Sequence, residues 1–332
     1  MGLAKMTRYF LQVIQQLQLV KAKASKSGFT LVELLIATIM ASIMITVLLG
    51  VVIDILNTNQ RETSRTETQQ EMQRALDYIS SDLRGAVFIY DGECFTGTNP
   101  NCQGVFGANR IQIPNDTVPV LAFWKLNPLP DRCLNPANRP EHCNTDAVAG
   151  RTYSFVAYFL SKEDSNTWKG KARITRFEFN KFNSDGTAVN GNYTPPQDTG
   201  FLNWTPNGSV NPRASANGQS YSVLVDFVDD TFGTNNETVS CPDDINYVLT
   251  PTNATLTTAG LQNVRSFYAC VRIPSPDPNN PNRRLDEFNQ DVLISIRGNA
   301  VGKPGVREGS EQFLPVLQTQ VLRRGVFQKR PQ

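Results

Sequence analysis

Histidine is almost missing from this chain: His142 is the only one among 332 residues. A Ser-His-Asp set could form only around that residue, and no Gly-x-Ser-x-Gly elbow accompanies it. There is no glycine-rich phosphate loop and no dinucleotide fingerprint. No Cys-x-x-Cys occurs, and His142 adjoins Cys143 with no partner at zinc spacing. Net charge is also lacking: 32 basic residues against 30 acidic ones give +2. The basic residues are scattered, which argues against a nucleic-acid footprint. Adjacent carboxylates do occur, at Asp229-Asp230 and Asp243-Asp244, but neighbours on a strand point to opposite faces and make no glycosidase couple. Asp229, Asp230, Asn235, Asn236 and Glu237 are a weak set of ligands for a hard cation; their spacing is not that of an EF-hand, and solvated turn residues are the plainer reading. No enzyme and no cofactor is expected.

A further absence is more telling. From Leu34 to Ile53 there is no charge and no proline, and Gly50 is the only glycine. Ala, Met, Leu and Ile dominate, so the segment reads as helix. Twenty residues at 1.5 Å each span roughly 30 Å, the thickness of a bilayer's hydrocarbon. One acid, Glu33, stands at its front edge. A charge inside a membrane helix costs about 2.5–3.5 kcal/mol at the centre and less near an end. Glu33 either lies among headgroups with no special task or awaits a positive partner.

The residues before the helix, Met1 to Gly28, contain Lys5, Arg8, Lys21, Lys23 and Lys26 and no acid, whereas the charges after Ile53 are mixed. The positive-inside rule keeps this leader in the cytoplasm and exports the chain beyond the helix. An ordinary secretory signal fits poorly, because the apolar run is too long and no Ala-x-Ala site comes after it. Phe10, Val13, Ile14, Leu17 and Val20 fall at helical spacing, either as an interfacial helix or as filler.

Gly28-Phe29-Thr30-Leu31-Val32-Glu33 resembles the processing signal of type IV prepilins and pseudopilins: a basic leader, Gly before the cut, Phe after it, and Glu fifth in the mature chain. The resemblance implies that a prepilin peptidase cuts after Gly28 and methylates the new amine of Phe29. It also implies that Glu33 meets that amine on a neighbouring copy as helices pack in a fibre. A buried ion pair of this kind serves register better than stability. The implied location is the inner membrane, single-pass, with the C-terminal domain periplasmic or extracellular. The implied partners are the peptidase, other major or minor pilins or pseudopilins, the inner-membrane assembly platform and a polysaccharide.

All six cysteines, Cys94, Cys102, Cys133, Cys143, Cys241 and Cys270, lie beyond the helix. An even number on an exported side suggests a disulfide framework. Sequence order favours pairing neighbours, although six cysteines allow about 15 connectivities.

Four segments are expected: the leader 1–28, a transmembrane and assembly helix 29–56, an amphipathic continuation 57–85, and a β-rich domain 86–332. Met72, Leu76, Ile79 and Leu83 form the stripe of the continuation, with Glu67 and Glu71 facing Arg74. A break near Asn57-Thr58-Asn59 is the alternative to one continuous helix. The strands expected are 86–90, 118–126, 152–160, 172–182, 221–228, 265–273 and 291–297, with a last one in 313–327. In the fourth, Ile174, Arg176 and Glu178 alternate with Thr175, Phe177 and Phe179. Long loops are expected at 127–144, 185–219 and 274–283, and Asn183-Ser184-Asp185-Gly186 reads as a turn. Helix first and strands after imply an α+β fold with a mostly antiparallel sheet laid on the helix. Trp168, Tyr193 and Trp204 are candidates for contact with sugar or a partner, Trp204 foremost, against buried packing as the default.

The likeness extends past the processing signal. The segment Arg74 to Arg84 resembles the helix end of W-type minor pilins and J-type pseudopilins. Phe88-Ile89-Tyr90-Asp91-Gly92, Leu121 to Lys125 and Tyr153 to Phe159 are similar to the hormogonium polysaccharide secretion pseudopilins of cyanobacteria. This implies a minor subunit of a pilus-like fibre serving motility or polysaccharide export. The rivals are an anchored carbohydrate- or surface-binding protein and an exported enzyme with a cation site.

Overall fold

The computed structural model describes residues 28–97, 102–137, 139–143, 150–183, 185–189, 191–214, 218–230, 239–242, 247–261, 264–273, 276–277, 280–284, 290–307 and 313–322. The leader pattern, Asn235 to Glu237, Asp243-Asp244 and the basic C-terminus lie outside them. The architecture is α+β, with a long N-terminal helix followed by antiparallel sheets. The chain divides into two compact units, Met1–Asn59 and Gln60–Gln332. That division falls inside the helix, so Gln60 to Arg84 belongs to the globular unit rather than forming a separate segment.

Helix α1, Leu31–Arg84, runs through Asn57-Thr58-Asn59 without interruption, so the alternative of two helices does not hold. Its second half buries Ser64, Thr68, Met72, Ala75, Leu76, Ile79, Ser80 and Leu83. These recur at steps of three and four and form the stripe that the sequence predicted. Burying Met72, Leu76, Ile79 and Leu83 contributes about 1.5–3 kcal/mol each. Glu67 and Glu71 turn to Lys303, at 3.9 and 2.8 Å, instead of facing Arg74. Lys303 belongs to a tight turn at residues 301–305. There Gly305 sits so close to the helix that a Cβ would stand 2.9 Å from the Arg61 nitrogen, and Ser64 Oγ donates to Pro304 O at 2.7 Å.

Where one sheet was expected, two large ones form. The first is an antiparallel meander of β1 (Ala86–Ile89), β2 (Thr117–Pro128), β3 (Arg151–Ser161), β4 (Ala172–Asn180) and β5 (Gln219–Val228). The second has the order β11-β10-β7-β6, with β6 at Tyr247–Thr250, β7 at Phe267–Arg272, β10 at Asp291–Arg297 and β11 at Val316–Leu322. β6 escaped the sequence reading, as did a hairpin of β8 (Pro276–Asp277) and β9 (Asn280–Arg284) inside an expected loop.

The first sheet is buried on both faces, and strand alternation decides which side chain goes where. On one face Val156, Tyr158, Leu160 and Ile174 join the helix stripe and the inner face of the second sheet in a single core. On the other face Phe155, Ala157, Phe159, Phe177 and Phe179 meet an aromatic layer supplied by loops, including Tyr90, Phe95, Phe106 and Trp204. Residues 91–97, 102–116, 185–189 and 191–214 form that roof. The expected loop 185–219 therefore carries part of the core. Short helices lie between the strands: α2 (Glu93–Thr96) after β1, α3 (Asp131–Leu134) and α4 (Pro196–Thr199) in the expected loops, and α5 (Asn253–Thr258) after β6.

Candidate functional site

Phe29 and Glu33 stand at the head of α1. Thr30 caps the helix: its carbonyl and hydroxyl oxygens accept from the Glu33 N–H at 3.0 and 3.3 Å, and its carbonyl also accepts from Leu34 N at 3.2 Å. Thr-x-x-Glu at this position is the sequence form of a capping box, a signal the sequence reading passed over. An acid in the first turn also complements the positive end of the helix dipole. Every large apolar residue from Phe29 to Leu56 is between 49 and 82 % exposed. The segment has a mean hydropathy of 2.6 over its most apolar stretch and is long and apolar enough to cross a membrane. Thr38, Ser42 and Thr46 return their hydroxyls to backbone carbonyls of their own helix (2.8–2.9 Å), so these polar groups are satisfied without water.

The six cysteines lie in three pairs at disulfide distance: Cys94–Cys102, Cys133–Cys143 and Cys241–Cys270, with Cα separations of 5.4, 5.4 and 5.7 Å. These are the sequence-neighbour pairs. The first staples the roof, the second closes the connection between β2 and β3, and the third ties the approach to β6 onto β7. His142, beside Cys143, places Nε2 3.0 Å from the Gly186 carbonyl and tilts its ring over Phe182. The sole histidine is thus engaged in pinning two loops together. Asn183 to Thr187 forms the expected turn, with Gly186 at φ +79° and Asp185 accepting from Thr187 N at 2.9 Å.

Asp229 and Asp230 separate, as adjacent strand-end residues should. Asp229 is fully buried, 3.1 Å from Arg297 Nε, and accepts from Asn299 Nδ2 at 3.2 Å. Asp230 pairs with Lys162 at 3.4 Å. Each carboxylate has a cation of the protein's own.

A charged cluster of Asp82, Lys125, Arg176 and Glu178 lies where α1 ends, and the sequence reading missed it. Asp82 accepts from Arg176 Nε at 2.8 Å, from Tyr158 OH at 2.7 Å and from Lys125 Nζ at 3.1 Å. Glu178 holds the other side of Arg176 at 2.7 Å and also receives Asn127 at 2.8 Å. Burial opposes the charge on Asp82, but hydrogen bonds and charge from Arg176, with Tyr158 and Lys125, outweigh it and hold the carboxyl below its usual range. Burial likewise works against Glu178, and Arg176 and Lys125 reverse it. Burial, with the Asp82 charge beside it, pushes the Tyr158 hydroxyl far up, so it stays a donor. The cluster joins the helix end to β2, β3 and β4. Its signal was the alternation of Arg176 and Glu178 with apolar neighbours, opposite an acid beside the helix stripe.

Of the three aromatics singled out, Trp204 is buried, stacked on Phe155 at 5.4 Å and donating to Thr194 O at 2.8 Å. This removes the foremost candidate for surface contact. Tyr193 donates to Tyr153 O at 2.7 Å and packs against Phe179. Trp168 alone of the three is open, at 41 % exposure.

Comparison with protein-family models, with curated protein sequences and with solved structures returns no match.

Proposed function

We propose that this chain is a membrane-anchored subunit of a helical assembly rather than an enzyme. More particularly, it is a minor pilin or pseudopilin of a type IV pilus-like fibre used in motility or polysaccharide secretion. The observation that carries this reading is the placement of Gly28-Phe29-Thr30-Leu31-Val32-Glu33 at the head of an unbroken helix whose first half is largely apolar and exposed, the hydroxyls of Thr38, Ser42 and Thr46 being bonded within the helix. A helix so apolar and uncovered needs lipid or other apolar helices as solvent. In this account a peptidase cuts after Gly28, Phe29 gains a free amine, and that amine pairs with Glu33 of an adjoining copy. Leaving the membrane then exchanges a costly lone charge for a compensated one. The domain after the helix stays outside, and its disulfides suit an oxidising compartment.

The test is a Glu33→Ala variant expressed in the native cell. Processing should continue and the membrane form should accumulate, while the subunit disappears from sheared fibres. Wild-type levels of the variant in those fibres would defeat the proposal.

A further inference from the structure

At the β4–β5 end of the aromatic face the roof stops, and a cavity of about 910 Å³ opens. It falls within the range typical of small-ligand sites, about 300–1,000 Å³. Its floor is the continuation of the buried sheet face: Arg173 and Thr175 on β4, and Gln219 and Tyr221 on β5. Trp168 forms one wall, and Arg213, paired with Glu163 at 2.6 Å, contributes to another.

Three features of this cavity are those of a binding site. First, the floor carries unmet hydrogen-bonding capacity. Thr175 Oγ1, Gln219 Oε1 and Tyr221 OH have no hydrogen-bond partner among the described residues, and each is shut off from solvent. Thr175 as a whole is 2 % exposed. Polar atoms left so cost stability and call for an explanation. Second, Trp168 is held in place by its backbone. Its backbone N–H donates to Ser165 Oγ at 3.3 Å, and the next two N–H groups, of Lys169 and Gly170, both donate to Asp226 Oδ2 at 2.9 Å. Gly170 lies so tightly against β5 that a Cβ would stand 2.3 Å from Phe227 N. The backbone that carries the indole is therefore held against β5. Third, the charges balance. Among the lining residues Glu163 and Asp164 stand against Arg173 and Arg213; Arg213 is paired with Glu163, and Arg173 lies 3.6 Å from Asp226 outside the lining, so there is neither a cationic trap for phosphate or sulfate nor a cage of carboxylates. Neutral hydrogen-bonding side chains outnumber the charged ones around it.

We infer that this cavity binds a neutral oligosaccharide, one hexose stacking on Trp168 while its neighbours' hydroxyls take up Thr175 and Gln219. Small rotations of the Thr175 and Gln219 side chains bring their oxygens to the ligand. Sugar rings present an apolar C–H face and a rim of hydroxyls, the pairing of surfaces that an indole beside neutral polar groups complements. The inference rests on the globular unit alone and stands whether or not the chain enters a fibre.

The experiment uses the full chain in a non-glycosidic detergent, with cellohexaose, maltohexaose and mannohexaose as probes and an oligogalacturonate as the acidic comparison. Trp124 and Trp204 are buried, so acrylamide quenching of tryptophan fluorescence reports mainly on Trp168. At least one neutral hexasaccharide should bind by calorimetry and protect the fluorescence. Trp168→Ala and Gln219→Ala should each weaken that binding about tenfold, the loss of one good contact, with melting temperatures unchanged for Trp168→Ala. No calorimetric binding by any of the three, tighter binding of the oligogalacturonate, or affinity within about twofold in both variants would overturn the assignment. An unprocessed N-terminus would leave these results untouched.

Discussion

Replacing Asp82 by Asn tests the physical account of how the helix is fastened to the sheet. The side chain stands in the last turn of α1, where the helix dipole disfavours an acid by about 0.3–1 kcal/mol. If the dipole were all that mattered, the change would stabilise the protein slightly. The structure argues for the opposite sign. Asn cannot neutralise Arg176, whose side chain is 7 % exposed, or Lys125, at 14 %, and it cannot accept from three donors at once. Removing one partner of a buried pair typically costs about 3–5 kcal/mol. Glu178 remains within 2.7 Å of Arg176, which places the cost at the lower end, about 3 kcal/mol. For a unit of this size that is a fall of roughly 6–12 °C in melting temperature. Calorimetry or circular dichroism at pH 7, with disulfides intact in both proteins, makes the comparison. The pH dependence adds a second check. Asp82 and Glu178 are depressed below their unfolded values, so their contribution is full above those values, about pH 4, and is lost as pH falls through the lower folded ones. The gap between wild type and variant should therefore narrow in strong acid. A variant that melts within about 2 °C of wild type at pH 7, or above it, refutes the reasoning.

Three other substitutions probe the same structure. The paired change Cys241→Ser/Cys270→Ser opens a loop of about thirty residues and should cost about 3.6 kcal/mol by chain entropy, measured by denaturant titration; reduction of the wild type should then lower the melting temperature more than reduction of this variant does. Gly170→Ala drives a Cβ into the β5 backbone, so it should destabilise by about 3 kcal/mol or more and free the Trp168 loop, read as a lower melting temperature and increased acrylamide quenching. Lys303→Met removes the cation that faces Glu71 and Glu67, and the amide protection of the Ser64 to Met72 stretch should fall in hydrogen exchange.

Much of the fold is written in periodicity. The stripe from Met72 to Leu83 and the alternation of Ile174 to Phe179 place a helix and a strand and also say which face each buries. Periodicity says nothing of which strands share a sheet, because register and neighbours depend on side chains far apart in the chain. Two sheets rather than one, and the short β6, were therefore out of reach. The roof loops misled for a different reason. Pro, Asn and Gly mark turns correctly, yet single aromatics between them, Phe106 and Trp204 among them, fill the core without any period. The Asp82 cluster was half visible: Arg176 and Glu178 alternate with buried neighbours, and only their meeting with the helix end was hidden. The capping role of Thr30 could have been read from Thr-x-x-Glu, but the acid drew attention to the membrane instead.

For the function proposed, the decisive measurement is mass spectrometry of the mature N-terminus, taken on protein from native membranes. The account predicts a chain that starts at Phe29 with a methylated amine. A chain that retains Met1, or one cut beyond the apolar half of the helix, would contradict it.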